Sequence, residues 1–175
     1  MKKLRFLLPI LVLSVLFVTG ADAQASRPRK TTVKRTSTTK TIPPLDVRTA
    51  REKVSNQLDN MNRFIDVLGP VAQGIETLDA SAKTKRMPKA TLDQNEASKQ
   101  KVVTAIRNFK EGLAALETEF RTKLALKKYL PSIQGISDLM AQSEDLAIAG
   151  KFVASKDPLR QTAKKLSDTL AVMPR

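Results

Sequence analysis

The chain has 175 residues and a formal net charge of +14, because 31 Lys and Arg outnumber 17 Asp and Glu. It contains one Tyr and no Cys, His or Trp. This composition excludes disulfides, metal or haem sites built on Cys or His, and catalytic nucleophiles of the Ser-His or Cys-His type.

The first 23 residues have the pattern of a secretory signal peptide. A cationic start is followed by a 13-residue uncharged run, residues 6–18, and then by Ala21-Asp22-Ala23, which has the small-residue spacing of a cleavage site. The run is shorter than the about 20 apolar residues of a transmembrane helix; the alternative interpretation is an uncleaved membrane anchor. We expect cleavage after Ala23, a mature chain of charge +12 without a transmembrane helix, and a periplasmic or secreted location.

Residues 24–44 form a segment rich in Ser, Thr and Pro, with only three apolar residues. Such a segment buries too little apolar surface to offset the entropy of ordering, so we expect it to be disordered. It is either a solubilising linker or an electrostatic arm for a polyanion. Under the second interpretation its six cations bind the anion: Arg27, Arg29, Lys30, Lys34, Arg35 and Lys40.

A helical pattern of apolar residues begins after Leu45. Asp46, which follows two prolines, is the predicted N-cap. Gly69-Pro70 interrupts the pattern, either as a turn between two helices or as a kink in one long helix. The apolar residues keep their phase beyond Pro70, which favours the kink. Before the interruption, the apolar stripe comprises Val47, Ala50, Val54, Leu58, Met61, Ile65 and Leu68.

Residues 83–89 are predicted to form a loop, in which Pro88 helps to stop any helix. The loop is the second candidate anion-binding segment. If residues 46–84 form one helix, it is about 58 Å long, and the loop and the basic segment 24–44 belong to opposite ends of the protein. The four cations of the loop are Lys83, Lys85, Arg86 and Lys89.

The next helix has the clearest apolar spacing in the chain. Thr91 and Gln94 fit a capping box at its start. We expect Glu117–Arg121 and Glu119–Lys123 to form i,i+4 ion pairs away from the buried face. The apolar stripe of this helix comprises Val102, Ile106, Phe109, Leu113, Leu116, Phe120 and Leu124.

The last third of the chain is also helical in pattern. Pro131 is expected to end or kink the second helix, residues 133–147 continue in helical spacing, and Asp157-Pro158 is expected to open a final helix. No segment alternates as a strand does. The sequence therefore predicts an all-α fold, in which residues 45–175 form an antiparallel bundle of about four helices, kinked at Pro70 and/or Pro131.

Two segments that begin at Pro70 and Pro131 share the pattern P-x-x-Q-G-I-x-x-L-x-A at an offset of 61 residues. Either a helical unit was duplicated, or two amphipathic helices coincide. Glycine inside a helix is unfavourable by about 1 kcal/mol relative to Ala. We therefore expect Gly74 and Gly135 to occupy equivalent positions, each facing a neighbouring helix.

No catalytic residue, metal site or cofactor is predicted, and the protein is expected not to be an enzyme. Ser98 and Lys101 have S-x-x-K spacing, but the companion S-D-N and K-T-G motifs are absent. Carboxylates that work as an acid–base pair are buried. Nothing in the sequence indicates burial of Glu144-Asp145 or of Glu76 and Asp79.

These features predict an exported, non-enzymatic cationic helical protein of the bacterial cell envelope. Its expected partners are anionic envelope components, or unfolded and other proteins. In architecture and charge alone the chain is similar to the small cationic helical chaperones of the bacterial periplasm, and this similarity assigns no residue a role. One alternative is nucleic-acid binding, which the export signal and the scarcity of aromatic residues disfavour. Another is a self-associating structural bundle, hence a homo-oligomer.

Overall fold

A computed structural model describes residues 43–175, which are mostly helical and contain no strand. The predicted signal peptide and most of the segment 24–44 lie outside these residues. Four helices exceed ten residues, as expected for the predicted all-α fold. The elements are α1 (Leu45–Thr84), α2 (Lys89–Thr122), a 3-10 turn (Lys127–Tyr129), α3 (Leu130–Ile133), α4 (Ile136–Ile148) and α5 (Lys156–Val172).

The four longer helices pack in a ring. α1 contacts α2 and α5, and α4 contacts the same two helices. α1 and α2 run antiparallel, because Lys53 pairs with Glu119 near one end and Asp79 accepts a hydrogen bond from Asn95 near the other. At 1.5 Å per residue, α1 is about 60 Å long, whereas α4 and α5 span about 20 and 25 Å. The two short helices therefore cover only part of the long hairpin.

The core is built mainly from the predicted apolar stripes. Met61 of α1 and Ile106, Leu113 and Phe120 of α2 are completely buried. Phe64 and Phe109 pack at the edge of this core, with ring centroids 5.2 Å apart. Close contact of many apolar side chains is the main stabilising contribution in a chain without disulfides.

α1 passes through Pro70 without ending. The alternative of a helix–helix turn at Gly69-Pro70 is therefore wrong, and one long helix is correct. The kink itself stays a prediction. The interior proline removes one backbone hydrogen bond from α1, which is tolerated where the packing of the helix compensates.

Both predicted helix caps are wrong. α1 follows Pro44 and α2 follows Pro88, and neither helix has a side-chain cap. The carbonyl of Pro88 accepts a hydrogen bond from the Thr91 N–H at 3.1 Å, so Thr91 already lies inside α2. Asp46 lies in the first turn of α1 and pairs with Lys123 at 3.2 Å. A proline fixes φ close to its helical value, so these two helices begin directly after one.

The predicted end of α2 is also wrong. α2 ends at Thr122, well before Pro131, which lies in the first turn of α3. Leu124, assigned to the buried stripe, is 83% exposed, whereas Leu126 is completely buried. The chain leaves the helical path here because a turn places Leu126 and Tyr129 in the core.

The paired glycines do not occupy equivalent positions. Gly74 lies inside α1, and a Cβ added there would meet no atom within 4 Å. Gly135 separates α3 from α4 and has φ +84°, and its nearest contact is Asp138 of the following helix. The expectation that each glycine faces a neighbouring helix is therefore wrong. Glycine is favoured at position 135 because residues with a side chain rarely adopt a positive φ.

Within residues 43–175 no helix is both long enough and apolar enough to cross a lipid bilayer.

Candidate anion-binding surface

The connection between α1 and α2 carries the predicted cationic loop. Lys83 belongs to the last turn of α1, Lys85 and Arg86 lie in the connection, and Lys89 is the first residue of α2. All four side chains are exposed. We call these four residues the tip cations. No acidic residue occurs between positions 80 and 92, so this end of the hairpin is locally positive.

Short-range contacts hold the connection in place. The Lys85 N–H donates to the carbonyl of Ser81 at 2.9 Å, and the Thr84 hydroxyl donates to the same carbonyl at 3.2 Å. Pro88 then precedes α2. Only four residues separate the helices, which keeps the tip cations close together on a short segment.

The tip cations form no ion pair with any residue from 43 to 175. The two nearest carboxylates of α1 are already engaged. Asp79 lies 2.8 Å from Lys99, and Glu76 accepts a hydrogen bond from the Val153 N–H at 2.8 Å. The hydrogen bond to Asp79 is the main reason that the pKa of Lys99 is raised, so Lys99 stays charged but is committed to Asp79.

Two open clefts adjoin the tip and bring in lysines that are distant in sequence. One, of about 710 Å³, runs between the second half of α1 and the start of α5, and Lys85 and Lys156 both line it. The other, of about 560 Å³, is lined by Lys83 and Lys151 together with Lys99. Sequence reasoning missed Lys151 and Lys156 because only the bundle topology places them at these clefts, Lys151 in the same cleft as Lys83, and Lys156 close to Gly69, well back along α1 from the tip.

All six candidate anion-binding residues of the basic segment 24–44 lie outside the described residues. They are Arg27, Arg29, Lys30, Lys34, Arg35 and Lys40.

Three carboxylates lie against the bundle: those of Glu117, Glu119 and Glu144. Each binds side-chain or backbone groups of neighbouring segments. Glu144 is buried and binds Arg107 at 2.8 Å and Lys110. Hydrogen bonds, first from Lys110 and then from Arg107, hold the pKa of Glu144 below its ordinary value. The sequence carried no indication of this burial. A carboxylate with a lowered pKa stays ionised, which does not suit a general acid.

Glu117 is also buried, although its pair with Arg121 was expected to lie away from the buried face. Burial alone would raise the pKa of Glu117, but the Ser137 hydroxyl and the backbone N–H groups of Gly135 and Ser137 donate to it and lower the pKa overall. This expectation was wrong because the carboxylate satisfies the start of α4, which has no side-chain cap of its own.

Glu119 joins α1 to the end of α2. Its carboxylate lies 2.7 Å from Lys53 and 2.7 Å from Lys123. Desolvation would raise its pKa, and the hydrogen bonds from Lys123 and Lys53 outweigh this effect and lower it. The predicted i,i+4 pairs Glu117–Arg121 and Glu119–Lys123 both form. No cluster of three or more potential metal ligands occurs in the described part of the chain.

No protein family, curated protein or solved structure matches this chain.

Proposed function

We propose that the chain is an exported, non-enzymatic helical protein of the cell envelope that binds anionic partners by electrostatic contact. The tip cations are the observation that carries this proposal. They are exposed, close in sequence and unpaired within the described structure, and no acidic residue occurs between positions 80 and 92, whereas Glu144 pairs with two cations of the body. Export rests on the sequence pattern of residues 1–23.

The geometry suits an extended anionic polymer better than a small ligand. The tip cations are exposed, and the clefts beside the tip are open and bring in only a few further charges. An exposed ion pair contributes about 0.2–1 kcal/mol. Useful affinity therefore requires several contacts at once, and a polyanion can engage all four tip cations.

The test measures binding of fluorescein-labelled poly-Glu by anisotropy over a series of NaCl concentrations. The tip variant replaces Lys83, Lys85, Arg86 and Lys89 with Gln. We expect it to bind about tenfold more weakly than the unmodified protein, at about 0.3–0.4 kcal/mol per lost contact. Its affinity should also depend less steeply on salt, because fewer charges are neutralised in the complex.

The control variant carries the same charge change on the body of the bundle. It replaces four exposed cations with Gln: Arg63, Lys101, Arg160 and Lys164. If both variants weaken binding equally, net charge rather than the tip governs the contact. If binding by the unmodified protein ignores salt, the electrostatic proposal is wrong. Nucleic-acid binding, chaperone activity and self-association stay predictions from the sequence.

A further inference from the structure

The end of the bundle opposite the tip is built from three segments: the start of α1, the turn after α2 and the end of α5. Lys123 pairs with Asp46 at 3.2 Å and links the first two. Arg51 donates to the carbonyls of Leu170 and Met173, at 2.6 and 2.9 Å, and links α1 to α5. These contacts place the three segments beside one another. We call this end the α1-start face.

Large apolar side chains project from the α1-start face. Leu124 is 83% exposed, Leu45 69% and Val172 58%. Pro44, Tyr129 and other residues line an adjoining cleft of about 410 Å³. An exposed leucine is ordinary when isolated. Here each of the three segments contributes one such side chain to the same end of the molecule.

Cations accompany these apolar side chains. Residues 45–53, 119–129 and 170–175 together contain eight Lys and Arg and three Asp and Glu. Two of the three acids, Asp46 and Glu119, are already paired with lysines of the same end. Lys127 and Lys128 follow Leu124 closely in the turn, and both are exposed. The α1-start face therefore combines exposed apolar side chains with a strong positive charge.

We propose that the α1-start face docks on the surface of a lipid bilayer that carries anionic head groups. Exposed Leu and Val side chains enter the interfacial region, and the surrounding Lys and Arg contact the lipid phosphates. A second copy of the chain is a poor occupant, because two faces of the same positive charge repel each other. A polyanion without apolar parts leaves Leu45 and Leu124 without a partner.

The proposal assigns different roles to the two basic ends. α1 places the tip about 60 Å from the α1-start face. Electrostatic interactions at physiological ionic strength are screened over about 8 Å. A molecule docked through the α1-start face therefore holds the tip outside the field of the membrane. Membrane docking can fail while poly-Glu binding at the tip holds, and the reverse is also possible.

The experiment measures cosedimentation with vesicles of phosphatidylcholine, with and without phosphatidylglycerol. The protein is expressed from the complete sequence, and its N-terminus is determined by mass spectrometry, so that every variant is compared on the same chain. The apolar variant is Leu45→Ser with Leu124→Ser. Its control is Val67→Ser with Ile148→Ser, at sites 64% and 62% exposed on other parts of the bundle. Circular dichroism checks that all variants remain helical.

We expect the apolar variant to lower the partition coefficient on anionic vesicles about tenfold and its control to change it less than twofold. Lys127→Gln with Lys128→Gln should weaken binding to anionic vesicles, and Arg63→Gln with Lys101→Gln, which makes the same charge change on the body of the bundle, should weaken it less. Equal losses in the apolar variant and its control overturn the proposal. So does equal binding of the unmodified protein to vesicles without phosphatidylglycerol. A dimer in sedimentation velocity that dissociates on Leu124→Ser, with vesicle binding unchanged, identifies a second copy as the occupant and also overturns it.

Discussion

The Glu117 carboxylate replaces the missing N-cap of α4, and its removal should destabilise the fold. One oxygen accepts from the Gly135 N–H at 3.0 Å. The other accepts from the Ser137 N–H at 3.2 Å and from the Ser137 hydroxyl at 2.7 Å. The side chain is 8% exposed, so water does not readily take its place. Arg121, at 3.3 Å, is 63% exposed and adds little.

The expected magnitude follows from these three hydrogen bonds. A hydrogen bond to a charged group contributes about 1.5–3 kcal/mol, and loss of a helix cap costs about 0.5–2 kcal/mol. Water entering the site of the deleted side chain recovers part of the loss, so we expect Glu117→Ala to lower the free energy of unfolding by about 2–4 kcal/mol. Glu117→Gln should lower it by about 1–2 kcal/mol, because the amide retains one acceptor but turns an NH₂ group towards a backbone donor.

The assay is urea unfolding followed by circular dichroism, with the free energy extrapolated to water. Glu111→Ala is the matched control, since Glu111 is exposed on the same helix and should change the value by less than about 0.5 kcal/mol. Ser137→Ala should fall between the control and Glu117→Ala, at about 1 kcal/mol. If Glu117→Ala is as stable as Glu111→Ala, the carboxylate does not hold the start of α4.

Three further predictions concern the backbone and the response to acid. The same unfolding assay should give opposite signs for two glycine substitutions: Gly74→Ala stabilises by up to about 1 kcal/mol in open space within α1, and Gly135→Ala destabilises by about 1–2 kcal/mol at φ +84°. Two destabilised variants would mean that Gly74 packs against a partner. Pro70→Ala should stabilise by about 1–3 kcal/mol, because it restores a backbone donor inside α1 at an exposed position; a loss of stability would show that the packing requires the proline. The pKa of Glu144 is lowered mainly by the hydrogen bond from Lys110, so the carboxylate contributes full stability above its ordinary pKa of 4.5 and loses it as the pH falls through the folded-state value. Urea midpoints should therefore fall from pH 6 to pH 3, and less steeply in Glu144→Gln; parallel curves for the two proteins would contradict this assignment.

The helices could be predicted because the apolar pattern that defines them is local. The stripe from Val47 to Leu68 and the stripe from Val102 to Phe120 both face the core. The boundaries of the helices were predicted less well than the helices themselves. Three polar residues matched known capping patterns, but prolines occupy the positions directly before α1 and α2. Leu124 fits the helical spacing, yet Leu126 is the residue that the turn buries.

The residues of the candidate site could likewise be predicted only where they are close together in the sequence. The tip cations were predicted because they occur within seven residues of one another. Lys151 and Lys156 were not, since only the packing of the α4–α5 connection and the start of α5 beside α1 brings them to the clefts. Glu117 was assigned to the surface from its i,i+4 partner alone, whereas its other partners lie 18 and 20 residues away on another element. Contacts of this range leave no local pattern.

The distribution of carboxylates explains why the ends of the bundle are the positive parts of the surface. Residues 43–175 contain 22 Lys and Arg and 16 Asp and Glu, a modest excess. Glu119 binds two lysines of the α1-start face, Glu144 binds two cations of the body, and Glu117 binds a helix start. The fold thus uses its acids where helices meet. The connection at the tip joins only two helices and has no acid of its own. The excess charge therefore accumulates there and at the α1-start face, about 60 Å apart, and under the two proposals one molecule would contact two anionic partners at once.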